Sequence, residues 1–238
     1  MPEPGERKFP EIPVLENYDT VPDPEFWDKF PSRQLNRRPR TKINVKNLRK
    51  LVDEAGDSLS KTEKRRANRA IKDLTFGAEA YQKVELPPVE TKNAKSAFTH
   101  GILLTDKIAT WIEDGFVAGP FVCPPVAGFR TNPLMAVERN GKVRPVLNMS
   151  GPRGASFNDN VDKRKLERVH MATAKKFSFA LRKAGRGARF SKFDVKDAYK
   201  LIPCKTKDTR LQGFSWLGRY FCKTQGTFGG IGSVCNFD

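Results

Sequence analysis

Apolar residues recur at helical spacing in three stretches of this chain. Over residues 44 to 82, Leu48, Leu51 and Val52 share one face, Gly56 interrupts, and Ala67, Ala70, Ile71 and Leu74 resume the period. Ser60 and Glu63 stand at capping-box spacing just before that second run. Residues 98 to 114 put Leu104, Ile108, Trp111 and Ile112 on one side, and Gly115 stands where glycines end helices. Residues 163 to 184 read as a basic amphipathic helix with Leu166, Val169, Phe177, Ala180 and Leu181 inward.

Elsewhere the pattern is that of strands and turns. Residues 133 to 149 carry apolar residues on both sides of Asn140-Gly141, the strongest short hairpin signal. Leu211 to Trp216 and Arg219 to Thr224 predict a second hairpin about Leu217-Gly218. Phe190 and Phe193 predict a short strand ending at Asp194, entered through Gly185 and Gly187. Residues 116 to 125 read as a loop of turn residues and aromatics, and 84 to 97 as a polar connection containing Pro87-Pro88. Helices mixed with hairpins predict an α+β fold. Prolines are dense from Pro2 to Pro39, which predicts an extended segment over 1–42, docked through Phe26, Trp27 and Phe30. The expected division is therefore 1–42 extended, 43–97 a basic helical region and linker, and 98–238 a further domain.

Charge narrows the partners. The 238 residues carry a formal charge of +17, with an isoelectric point near 9.9, so a polyanion is expected. The excess is concentrated between Arg139 and Lys192, with 15 Lys/Arg against 3 Asp/Glu. A second basic stretch, Arg37 to Asp73, has 13 against 5. No apolar run approaches the ~20 residues that span a bilayer. Met1 to Pro10 lacks an apolar core, so no secretory signal is expected and the location is cytoplasmic or nuclear. Cys123, Cys204, Cys222 and Cys235 show no Cys-x-x-Cys spacing, and His100 and His170 are the only histidines, which argues against a zinc site.

Asp194 at a strand end is a candidate ligand for a hard cation, since Mg²⁺ favours carboxylate and phosphate oxygens. Asp197 follows three residues on, although an Asp-x-x-Asp pair by itself is most often a turn or cap feature. Three motifs then stand in a fixed order: Gly141-Lys-Val-Arg144-Pro-Val-Leu in the first hairpin, Asp194-Val-Lys-Asp197-Ala-Tyr199, and Phe228-Gly-Gly-Ile-Gly-Ser. Over residues 100 to 238 this order resembles the first half of a reverse transcriptase domain. Ile112-Glu-Asp-Gly-Phe-Val-Ala-Gly-Pro-Phe, Pro124-Pro125 and Leu147 to Asp159 are similar to DIRS-type retrotransposon polymerases.

The resemblance implies a fingers subdomain and an incomplete palm of a right-hand polymerase. It implies that Asp194 holds two Mg²⁺ ions and that the main chain of Val195 to Ala198 approaches the triphosphate of a deoxynucleotide. Asp197 becomes a structural or triphosphate-proximal group. Tyr199 would sit under the sugar, and Arg144 would lie on the incoming base. Arg139 and Lys142 would reach outer phosphates, and Phe228 and Gly229 would form the floor. Two departures stand out: Thr227 replaces the family's usual proline, and no Tyr-x-Asp-Asp motif occurs in the 238 residues. A C-terminal palm and thumb segment is therefore an expected partner of a template, primer and nucleotide complex, and the chain alone is not expected to polymerise. The alternative is a non-catalytic nucleic-acid-binding fragment, for which charge alone suffices. A membrane-surface protein using the basic helices ranks last.

Overall fold

Ser60 and Glu63 make the reciprocal contacts their spacing predicts. The Ser60 hydroxyl accepts from Glu63 N at 3.3 Å, and a Glu63 carboxylate oxygen accepts from Ser60 N at 2.8 Å. They open α2 (Lys61–Phe76), which packs against α1 (Val45–Ala55). The structure, a computed structural model, describes residues 24–30, 41–166, 173–189, 191, 195, 198–227 and 230.

The helical region expected over 44–82 stops at Phe76. Gly77 takes a φ of 85°, and a Cβ there would stand 2.6 Å from the Cys204 carbonyl. The chain turns so that Ala78 N donates to Pro203 O and Lys205 N donates to Ala78 O. Leu74, Ala78 and Ile202 form a small apolar cluster there, with Ile43, Val45 and Leu48 against it.

The helix expected over 98–114 is two, α3 (Lys95–Thr99) and α4 (Gly101–Glu113), separated at His100. Leu104, Ile108, Trp111 and Ile112 are buried, as their spacing predicts. The loop expected over 116–125 instead holds strand β1 (Val117–Phe121) in its first half. Its ambiguity was chemical: Gly119 and Pro120 are strand breakers, yet β1 lies at a sheet edge, where proline is tolerated, and a bulge falls between Ala118 and Phe121.

Both predicted hairpins form. β2 (Leu134–Arg139) and β3 (Lys142–Leu147) turn at Asn140 and Gly141, whose φ values of 52° and 68° suit a mirror-type turn. β4 (Gly213–Trp216) and β5 (Arg219–Lys223) turn at Leu217-Gly218, and β1 adds antiparallel to β5, giving the order β1-β5-β4. Leu211 and Gln212 belong to a 3-10 turn before β4 rather than to the strand.

The basic helix expected over 163–184 is shorter. Asp162 accepts from Arg164 N and closes a single turn at Lys163–Lys165, whereas Thr173 caps α5 (Ala174–Ala184) by accepting from Lys176 N. No residue of α5 is buried; Phe177, expected inward, is 54% exposed, and Val169 lies outside the described residues. Of the expected strand at Phe190–Asp194 only Ser191 is among them, exposed and not in a strand, and most of the proline-rich segment also lies outside them.

The core joins distant stretches. Trp27, in a 3-10 turn (Pro24–Lys29) rather than extended chain, is fully buried and meets Phe221 at 4.9 Å between ring centroids. Around it gather Leu104, Ile108, Leu134, Leu147, Phe214 and Trp216. Polar groups clamp the connections: Asn132 donates to Leu211 O and Gly213 O, and Arg130 donates to Pro87 O and Ala155 O. Among the described residues no helix is long and apolar enough to cross a membrane.

Candidate nucleotide-binding site

Tyr199 lies in the 3-10 turn Ala198–Leu201, followed by Pro203. From there the chain runs beside residues 224–227: Cys204 N donates to Thr224 O, Pro203 bridges Gln225, and Gly226 N donates to Ile202 O. A Cβ on Gly226 would come 2.9 Å from the Tyr199 main-chain oxygen. The segment after the second motif is thus laid against the segment that enters the third. Gly230 N donates to Thr227 O at 3.3 Å.

Tyr199, Gly226, Thr227 and Gly230 line one small open cavity of about 40 Å³, together with Ala78 and Phe157. Its polar side holds Asp208, whose carboxylate accepts from Ala80 N at 2.9 Å; burial raises its pKa against that bond. Gln212 donates to the Cys204 sulfur, and its own Oε1 is buried without a partner. Burial pushes the Cys204 thiol up to about 12, so the cavity contains no thiolate at neutral pH. Glu79 at the rim is held by Lys205 at 2.7 Å and Lys207 at 3.3 Å, and the Lys205 bond is the main cause of its lowered pKa.

The β2–β3 hairpin presents the basic residues together. Arg139 pairs in register with Lys142, and Val137 with Arg144, so the three cations share one exposed face. Leu134, Ala136 and Leu147 point from the other face into the core. Among the described residues none of the three cations is ion-paired, whereas Glu138, on the core-side face, meets His100 at 4.0 Å. Arg144 is not among the residues that line the cavity.

Val195 is exposed and Ala198 half-buried. Asp194, Asp197, Phe228 and Gly229 lie outside the described residues. Among the described residues no group of three or more His, Cys, Asp or Glu side chains is placed to hold a metal ion.

One cluster escaped the sequence reading. Lys42 and Lys200 hold their ammonium groups 4.9 and 5.1 Å from the Phe116 ring centroid, and Lys223 holds its own 3.6 Å from that of Trp111. The available signal was alternation in β5: Lys223 shares a face with buried Phe221, an unusual place for a lysine.

No protein-family model and no curated protein matches the chain. Among solved structures it is similar to a foamy viral protease-reverse transcriptase in complex with double-stranded DNA. The two are 15% identical with a TM-score of 0.40, over 83% of this chain and 34% of that one. It is also similar to a CSH mutant of the prototype foamy virus protease-reverse transcriptase, at 15% identity and a TM-score of 0.44, over 84% and 26%. The chain therefore spans about a third or less of the length of these structures. At TM-scores below 0.5 the likeness assigns neither a fold nor an activity to this chain.

Proposed function

We propose that the chain is the fingers and incomplete palm of a reverse-transcriptase-like polymerase of the DIRS retrotransposon type, built for template-directed transfer of deoxynucleotides. The observation that carries this reading is the meeting of Tyr199 with Gly226, Thr227 and Gly230 around one cavity. Two motifs that a polymerase needs on one nucleotide are thereby adjacent in space, although they are far apart in sequence.

In this reading Tyr199 sits under the sugar, and Phe228 and Gly229 form the floor. Val195 to Ala198 approach the triphosphate, with Asp197 near it. The exposed face of Arg139, Lys142 and Arg144 receives phosphates and the base, a task suited to the planar Arg144 guanidinium. Asp194 is the carboxylate that would hold two Mg²⁺ ions, which when bound stabilise charge on the transferring phosphoryl group. Two-metal chemistry also needs carboxylates from the Tyr-x-Asp-Asp hairpin, which the 238 residues do not contain.

A primer-extension assay with Mg²⁺ tests the reading on two chains, this one and one continued through such a hairpin. The longer chain extends the primer and Asp194→Ala abolishes extension, while the 238 residues alone do not extend. Inactivity of the longer chain on RNA and DNA templates alike contradicts it.

A second reading, a nucleic-acid-binding fragment without chemistry, is favoured by the unpaired cations on the hairpin face. It predicts salt-sensitive binding to nucleic acid with no dependence on Asp194 or Mg²⁺.

A further inference from the structure

Helix α2 has two unlike faces. Ile71 and Leu74 are buried on one, where Leu74 joins Ala78 and Ile202, with Ile43, Val45 and Leu48 against them. That face is already covered by the chain itself. The other face carries Lys61, Arg65, Asn68, Lys72 and Phe76, all exposed. Steps of four, three, four and four residues set these five in one line along the helix, about 22 Å long at a rise of ~1.5 Å per residue.

No carboxylate lies on this line. The two that α2 owns are engaged elsewhere: Glu63 accepts from Ser60 N at the helix start, and Asp73 meets Arg69 at 3.8 Å. Among the described residues neither Lys61 nor Lys72 meets a carboxylate within ion-pair distance. Phe76, at the end of the line, is 62% exposed. Its backbone is held in place. Gly77 N donates to Asp73 O at 2.8 Å, Ala78 N donates to Pro203 O at 2.7 Å, and a Cβ on Gly77 would collide with the Cys204 carbonyl. An aromatic ring is thus kept in water at a fixed place beside a row of cations, where it adds nothing to a core.

Chemistry decides what fits such a face. Cations in a row match the repeating charge of a phosphate backbone. An exposed ring matches the flat face of an unpaired base, and stacking is tolerant of which base it is. Asn68, between the cations, can both donate and accept at a base edge or at the backbone. A membrane surface fits less well, because Phe76 is the one apolar residue on the line.

We propose that this face of α2 binds single-stranded nucleic acid, with Lys61, Arg65 and Lys72 on its phosphates and Phe76 stacked on one base. The contact is separate from the hairpin face and from the Tyr199 cavity, and it needs neither metal nor triphosphate.

The test uses the full 238-residue chain and a fluorescent twelve-nucleotide oligothymidylate, titrated across a salt series without Mg²⁺. A phosphodiester strand of the same length without bases is the second probe. The variants are Lys61→Gln, Lys72→Gln and Phe76→Ala, with Lys107→Gln on α4 as the control. All four positions are exposed, and melting temperatures check that each chain folds. Lys61→Gln and Lys72→Gln each lower the slope of log affinity against log salt by ~0.7, and Lys107→Gln does not. Phe76→Ala keeps the slope but weakens oligothymidylate by about five-fold or more, the loss of one stacked base, and leaves the base-free strand unaffected. Slopes in the two lysine variants that equal the control's overturn the proposal, as does an oligothymidylate affinity that Phe76→Ala leaves unchanged. Equal losses for both strands in Phe76→Ala also overturn it, because the ring then acts without a base. Vesicles of phosphatidylserine that bind as tightly as the oligomer, with the same loss in Phe76→Ala, assign the face to a membrane and overturn it too. Asp194, Tyr199 and the hairpin are untouched by these variants, so failure here leaves the polymerase reading standing.

Discussion

Gly226 and Tyr199 touch so closely that a Cβ on Gly226 would stand 2.9 Å from the Tyr199 carbonyl oxygen. The neighbour is main chain, so it cannot swing away as a side-chain tip would. Gly226→Ala is expected to cost ~1–3 kcal/mol, the range for overpacking a tight contact. Denaturant unfolding measures it. The same substitution should weaken nucleotide binding by more than the lost stability explains, because it separates the two walls of the cavity.

Trp27 ties the amino-terminal segment to the sheet. Its ring is fully buried against Phe221, Phe26 and Phe30. Trp27→Ala should destabilise the chain by ~3–5 kcal/mol, the range for emptying a large aromatic site. The indole nitrogen is buried without a partner, so Trp27→Phe removes an unsatisfied donor along with some volume. That variant should cost less than ~1.5 kcal/mol. Unfolding midpoints of the two variants settle the order.

How far the sequence was legible depends on how local each signal was. Asn140-Gly141 and Ser60 with Glu63 act within a few residues, and hairpin and helix start appear where those pairs stand. The apolar face of α4 was equally plain, because Leu104, Ile108, Trp111 and Ile112 repeat at the helical period. β1 was not, because Gly119-Pro120 acquires strand geometry only from its partner β5, a hundred positions away. α5 was drawn too long because Thr173, its actual cap, sits inside a run that is basic throughout. The close approach of Gly226 to the Tyr199 main chain is tertiary, with no local signal in the sequence. Arg130 and Asn132 are polar residues that only the tertiary packing makes interior, and Lys223 is half-buried beside Trp111.

Lys223 gives the chain a pH dependence. Its folded pKa is lowered from 10.5 to about 7, chiefly by burial and then by Lys200. Below about pH 7 the ammonium is charged in both states, and the cost of burying it is borne in full. Between pH 7 and about 10.5 the folded chain sheds a proton that the unfolded chain keeps, so stability rises with pH. Lys42 and Asp114 nearby are exposed, and the Cys204 thiol, pushed up to about 12, stays protonated through that window. Lys223→Met should therefore be more stable than the unaltered chain at pH 6, with the advantage shrinking toward pH 10. Unfolding curves at pH 6, 8 and 10 check the trend.

The hairpin face predicts a separable effect on affinity. Arg139, Lys142 and Arg144 are exposed and unpaired among the described residues, so replacing each with Gln should change stability by less than ~0.5 kcal/mol. Each replacement should lower the slope of log affinity for a primer–template against log salt by ~0.7 to 0.9. A salt-independent titration of the unaltered chain contradicts this.

The central claim is that the Tyr199 cavity is a nucleotide site served by Asp194. Equilibrium binding of deoxythymidine triphosphate, with and without Mg²⁺, tests it most directly on the unaltered chain, Asp194→Ala and Tyr199→Ala. The account predicts binding that requires Mg²⁺, is lost in Asp194→Ala, and in Tyr199→Ala no longer distinguishes deoxythymidine from uridine triphosphate. Binding of equal strength in the unaltered chain and in Asp194→Ala, with or without Mg²⁺, contradicts it.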